Sequence, residues 1–269
     1  MEDKKKKPAR WKKILKRVLL GLLILVVVLA IVVAIFATKN AKAMNRCVDA
    51  AMEELRSHYT VTPVDAGEYE DLTLYGLMKF DVEQYEIEGI GNLSVMRVNM
   101  GFMQMSTFVI TPRDRNLPLL STDYMYIFGN RTAYMEFYDV VAQKDEAYNA
   151  LLADLNAAIG EYDHLENAES TPAWYAPLLT VTAYKNGGSA EDPELTRLLT
   201  DCLDVYLEHA KTLPELTEEE RVEKLEITVD YTDGLIEKGG ISTDVFKSAL
   251  GDETTKDFFD SVFFGTAAD

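Results

Sequence analysis

Cysteine and histidine are scarce, with two thiols (Cys47, Cys202) and three imidazoles (His58, His164, His209) in 269 residues. Neither cysteine sits in a CxxC pattern and no histidine stands at ligand spacing from one, so no metal centre is expected. Two cysteines so far apart establish no disulfide either, although an exterior location would permit the pair. The chain also lacks a P-loop, a GxGxxG turn and any internal repeat, which removes the usual nucleotide-binding signatures. Positive charge is missing from most of it: residues 44–269 carry 16 Lys/Arg against 43 Asp/Glu, a net charge of −27. A domain so acidic is a poor partner for nucleic acid or for an anionic membrane surface, both of which are bound by lysine and arginine.

The basic residues gather instead at the N-terminus. Nine of them, from Lys4 to Arg17, precede VLLGLLILVVVLAIVVAIF, a run from Val18 to Phe36 with no charge and no proline. At about 1.5 Å per helical residue this run covers about 28 Å, the thickness of a hydrocarbon core. It is too long for the apolar part of a cleaved signal peptide, despite the small-x-small triplet Ala41-Lys42-Ala43. The expectation is an uncleaved signal-anchor: a basic cytoplasmic tail (1–17) lying on anionic headgroups, a transmembrane helix (18–36), a linker (37–43) and a domain (44–269). The positive-inside rule places the N-terminus of this single-pass protein in the cytoplasm and its domain outside.

Within the domain, Met44, Cys47, Val48, Ala51, Met52 and Leu55 recur at helical spacing and predict an amphipathic helix ending at His58, followed by a loop to Asp71. Strand character then runs through 74–88, 93–100, 102–111, 119–128 and 132–140, punctuated at Gly89-Ile90-Gly91-Asn92, Gly101, Pro112 to Pro118 and Gly129-Asn130. Short turns between consecutive strands predict an antiparallel meander. From Asp145 the apolar period lengthens to that of helices. One follows to about Ile159, another from Pro193 to Lys211 with Asp192 as its cap, another starts at Thr217, and two short ones flank Gly251. The stretch between them, Thr171 to Leu179 and a turn near Asn186-Gly187-Gly188, reads as connection. The fold class is therefore α+β, a three-layer α/β/α sandwich with a central antiparallel sheet behind one N-terminal transmembrane helix.

One residue contradicts its surroundings. In LPLLSTDYMYIF (117–128) the carboxylate of Asp123 stands in a strand whose two faces are both apolar, where an unpartnered charge is costly. Alternation puts Ser121, Asp123 and Met125 on one face and Tyr124 and Tyr126 on the other. Met96, Met100, Met103, Met105, Met125 and Met135 read as core or as the lining of an adaptable apolar pocket.

The pattern Pro112-Arg113, Leu117-Pro118, Asp123, together with a partner strand ending at Asp139 and the helix–glycine–aromatic helix sequence from Ser242 to Phe264, resembles the ferredoxin-dependent bilin reductases. The resemblance spans most of residues 44–269. It implies a linear tetrapyrrole, or another hydrophobic small molecule, as ligand, with Asp123 beneath the pyrrole nitrogens as proton donor. Thr107 and Asn99 stand where family members carry a histidine and a glutamate, and neither is an acid near pH 7. Gly239-Gly240-Ile241 replaces the family's asparagine-aspartate-lysine run. Thr107, Asn99, Tyr124, Asp139 and Arg113, the last with Arg97, Arg115 and Arg131 as a holder of propionate groups, complete the candidate substrate contacts. No tightly bound cofactor is implied; a ferredoxin is the electron donor only if the family's reductase activity is retained. An exterior, strongly acidic domain opposes that coupling. The alternative is a non-catalytic, membrane-anchored domain that keeps the fold to bind another ligand or a protein.

Overall fold

The computed structural model describes residues 8–170 and 173–267; Lys4 to Lys7 of the basic tail and the start of the connection at 171 lie outside that range. Helix α1 (Pro8–His58) is a single helix of 51 residues, so no break separates the apolar run from the domain. The linker expected at 37–43 is helical because the segment ATKNAKA contains neither proline nor glycine and three of its seven residues are alanine. From Trp11 to Ile35 the large apolar side chains of α1 other than the half-buried Val33 are exposed, and this stretch is long and apolar enough to cross a membrane. From Ala43 onward the expected helical stripe, ending at Leu55, is buried.

Nine strands form one antiparallel sheet: β1 (Val61–Val64), β2 (Asp71–Leu74), β3 (Met78–Ile87), β4 (Gly91–Asn99), β5 (Met103–Pro112), β6 (Leu119–Ile127), β7 (Asn130–Tyr138), β8 (Glu166–Asn167) and β9 (Leu179–Gly188). Their order is β1-β3-β4-β5-β6-β7-β9-β8, with β2 also beside β3. The meander β3 to β7 is as the sequence predicts. β9 is not: it starts at Leu179, where the expected connection ends, runs through the turn expected near Asn186-Gly187-Gly188, and pairs with β7 along its whole length. Two short strands likewise occupy the expected loop before Asp71 and the start of the long first strand, which turns back at Tyr75-Gly76-Leu77. The β6–β7 hairpin turns at Phe128-Gly129, one residue earlier than Gly129-Asn130, since Ile127 pairs with Asn130.

Helices cover both faces, as the doubly apolar strands require. Against one pack the C-terminal part of α1, α2 (Glu146–Gly160) and α3 (Asp192–Thr212), burying Leu55, Leu151, Leu155, Leu203 and Tyr206 with Leu120, Tyr124 and Phe137 of the sheet. Against the other pack α4 (Glu218–Lys238), α5 (Ile241–Leu250) and α6 (Asp252–Phe258), with a π-turn at Phe259–Phe263, burying Tyr231, Phe246, Phe258 and Val262 with Val98, Val109 and Leu119. Cys47 and Cys202 are buried free thiols within the first layer. Burial pushes their pKa values to about 11 and about 12.

Helix starts follow their side chains. Asp145 accepts from the Tyr148 amide at the start of α2, and Thr217 and Glu220 form a reciprocal capping box on α4. Asp192 does not cap α3 as expected; it lies inside the helix, and its carboxylate engages both Nε and Nη2 of the buried Arg131.

Candidate functional site

Asp123 lies near the middle of β6, where β5 and β7 flank it with Thr107 and Tyr134 directly opposite. Thr107 Oγ1 donates to Asp123 Oδ1 at 2.5 Å. The side chain keeps partial solvent access, yet desolvation raises its pKa from 3.8 to about 6 against the lowering by the Thr107 hydrogen bond; the nearby Glu136 charge adds to the rise. The carboxyl group therefore changes protonation close to neutral pH, as a general acid must.

Strand alternation assembles the rest of this face. Met96, Met105 and Met125 share it with Asp123, and β7 and β9 contribute Tyr134, Glu136, Tyr138 and Tyr184. Glu136 accepts hydrogen bonds from both Tyr138 and Tyr184, whose hydroxyls burial and the carboxylate keep protonated. Tyr138 packs on Tyr231 of α4 at 4.8 Å between ring centroids, with Tyr175 and Trp174 alongside. The result is a shelf with a methionine side, two carboxylates and an aromatic wall. Four clefts among the described residues, of about 350, 640, 720 and 750 Å³, lie elsewhere and are lined by other residues.

Of the residues singled out in the sequence, only Thr107 meets Asp123. Asn99 points to the opposite face of β4 and is used by its turn, its Oδ1 accepting from the Gly101 amide at 2.9 Å and from Gln104 at 3.2 Å. Tyr124 is buried under α3 and donates to Leu195 O at 3.0 Å. Arg113 sits at the far end of the sheet, 2.6 Å from Glu86. Asp139 lies beyond the end of β7, where it accepts from Tyr148 at 3.0 Å and pairs with Lys144. Arg97, Arg115 and Arg131 are likewise engaged, with Glu83, the Gly89 carbonyl and Asp192. Met135 faces the other core.

The sequence does not single out Glu136, Tyr184 or the buried Lys224, nor Tyr134 and the aromatic wall of Trp174, Tyr175 and Tyr231. Alternation along β7 signals Glu136, which shares a face with Tyr134 and Tyr138, but Tyr184 depends on β9. Lys224 of α4 donates to Leu117 O and Val140 O, both at 2.8 Å, and burial lowers its pKa from 10.5 to about 7. Elsewhere His58 lies 2.9 Å from Glu54 and 3.3 Å from Asp204, with ligand atoms of all three converging. These contacts form a polar cluster where α1 meets α3.

No model of a protein family matches the chain, and no curated protein matches it in sequence. The sandwich itself is a bilin-reductase-like fold. A solved structure similar to it is phytochromobilin synthase from tomato in complex with biliverdin, with a TM-score of 0.66 at 15% identity over 84% of this chain and 85% of that one. At that identity the likeness is one of fold.

Proposed function

We propose that this chain is a membrane-tethered, bilin-reductase-like domain that holds a linear tetrapyrrole on the Asp123 shelf, with Asp123 as proton donor to the bound pigment. One observation carries the reading: the carboxyl that titrates at about 6 lies in the middle of a methionine- and tyrosine-lined face of a fold whose solved relative binds biliverdin. A flat conjugated ligand suits such a face, because methionine adapts to its outline and aromatic rings stack on it. Pyrrole nitrogens offer donors to an ionised Asp123 and accept its proton when it is neutral. Of the two acids that the resemblance singles out, Asp123 and Asp139, only Asp123 lies on this face, with Glu136 held between two tyrosine hydroxyls as its neighbour.

Tethering rests on the exposed apolar stretch of α1 and the nine basic residues before it, which orient the domain outward by the positive-inside rule. Reduction needs an electron donor besides; a ferredoxin would meet a domain of charge −27 from the wrong side of the membrane, so ligand binding without turnover is the favoured form.

The test is to titrate the full chain, in detergent or lipid nanodiscs, with biliverdin and follow the visible spectrum. A saturable red-shifted band that Asp123→Asn weakens or moves is expected. An unchanged pigment spectrum removes the tetrapyrrole reading. A band that persists unaltered in the variant removes Asp123 from the site.

A further inference from the structure

Outside α1, seven large apolar side chains are exposed among the described residues: Val64, Tyr75, Leu77, Phe102, Ile127, Phe128 and Val222. Five of them sit on three turns, between β2 and β3 (Tyr75, Leu77), β4 and β5 (Phe102), and β6 and β7 (Ile127, Phe128). Register places these turns at one end of the sheet, because Lys79 pairs with Asn99, Asn99 with Gln104 and Met103 with Ile127. Turns that face water usually carry glycine, asparagine, aspartate and serine at their tips, not leucine and phenylalanine. Leu77 is the most exposed of the set, at 79%.

This is the end at which α1 leaves the domain. Phe36, the last residue of the apolar run, meets the Phe128 ring edge-on at 5.7 Å between centroids, and Asn40 one turn later donates to Tyr126 O at 3.3 Å. The hairpin tip is therefore level with the end of the apolar helix. Charge follows the same division. Segments 74–79, 99–104 and 126–131 contain no Asp or Glu, whereas residues 44–269 contain 43. Their two charges are Lys79 and Arg131, and the acids nearest the β6–β7 tip are engaged: Asp192 with Arg131, and Glu191 with the amide of Gly188. The three turns of a strongly acidic domain thus carry none of the carboxylates that anionic headgroups would repel.

We infer that the three turns form a membrane-contacting rim, with Leu77, Phe102 and Phe128 seated in the headgroup boundary of the leaflet that α1 enters. The inference rests on α1 spanning that membrane. The rim holds the sheet end-on to the lipid surface, so that the domain cannot swing freely about its helix, and brings Met103 and Met125, next to the turns on the Asp123 face, close to the bilayer. An amphipathic pigment partitioned into the interface would then reach the shelf without crossing bulk water.

The experiment uses the full chain in lipid nanodiscs, carrying one added cysteine at a time with a polarity-sensitive fluorophore. The buried Cys47 and Cys202 leave the background unlabelled. Leu77→Cys and Phe102→Cys test the rim, Leu25→Cys the helix, and Val222→Cys serves as the water-facing control. With nitroxide lipids present, labels at 77 and 102 are expected to be quenched at least twofold more than the label at 222. Quenching at 25 with none at 77 and 102 overturns the rim and leaves the anchor standing. No quenching at 25 overturns the anchor and the rim together. A blue shift at 77 that grows with protein concentration, without lipid quenching, assigns the turns to contact between copies and also overturns the rim.

Discussion

Thr107 on β5 donates its hydroxyl to Asp123 on β6 across a directly opposed register pair, at 2.5 Å. Among the described residues this hydroxyl is the only polar partner of a carboxyl group that the fold nevertheless keeps hard to ionise. One neutral donor offsets part of the desolvation and leaves the balance on the side of the protonated acid.

That balance gives a pH dependence of defined sign. Asp123 has a folded pKa of about 6 against 3.8 unfolded, so its neutral form stabilises the fold fully below 3.8, and that contribution is lost as pH rises through 6. Allowing for partial solvent access, the ionised group costs about 1–2 kcal/mol at pH 7.5. Asp123→Asn keeps an oxygen for the Thr107 hydroxyl and cannot ionise. Denaturant melts of the full chain in detergent should find the variant close to wild type at pH 4.5 and more stable by about that amount at pH 7.5. A difference that does not change with pH would mean that Asp123 is ionised throughout.

Lys224 carries the opposite slope. Its folded pKa of about 7 lies below the 10.5 of the free side chain, so between those values the unfolded chain binds a proton that the folded chain does not. Stability from this residue therefore rises with pH from 7 toward 10.5, by at most about 1.4 kcal/mol per pH unit. Lys224→Met removes the slope and strands the carbonyls of Leu117 and Val140, at a cost of about 1–3 kcal/mol. The gap between wild type and variant should widen between pH 7 and 9.5. A gap that stays constant over that range would show the amine to be charged in the fold.

The sequence is informative where local chemistry and tertiary environment agree. Strands β3 to β7 are dense in β-branched and aromatic residues, and β3 to β6 end at or within two residues of a glycine or proline that announces their limit. β9, LTVTAYKNGG, alternates just as strictly, but through threonine, alanine and lysine, and a proline-containing approach hides its start. Missing it hid Tyr184 and with it half of the grip on Glu136. Asp123 stood out because a charge between two apolar faces is costly. Its helpers did not, because partnership across strands depends on register. Strict alternation already places Tyr124 on the opposite face from Asp123, and Asn99 turned out to belong to a turn. The helical linker is a different case: seven residues without a breaker had no physical reason to interrupt α1.

Gly234 on α4 lies against the Trp174 ring; a Cβ added there would come within 2.4 Å of Cη2 and 3.0 Å of Cζ2. In an exposed helix, glycine to alanine normally stabilises by about 1 kcal/mol. Here the sign should reverse. Trp174 is held by its Nε1 donating to Gly239 O at 2.9 Å and by Lys238 Nζ at 4.5 Å over the ring, so it cannot retreat without losing both contacts. Overpacking of this kind costs about 1–3 kcal/mol. Trp11 is the other tryptophan, so a Trp11→Phe background isolates the signal. In that background Gly234→Ala should lower the unfolding midpoint, red-shift the emission and make it more accessible to acrylamide. Because Trp174 stacks beside Tyr175 and Tyr231 on the wall of the Asp123 shelf, the same variant should also alter the pigment's absorption band if biliverdin binds there. A variant that is more stable, with emission unchanged, would mean that the ring moves aside at no cost and does not form a fixed wall.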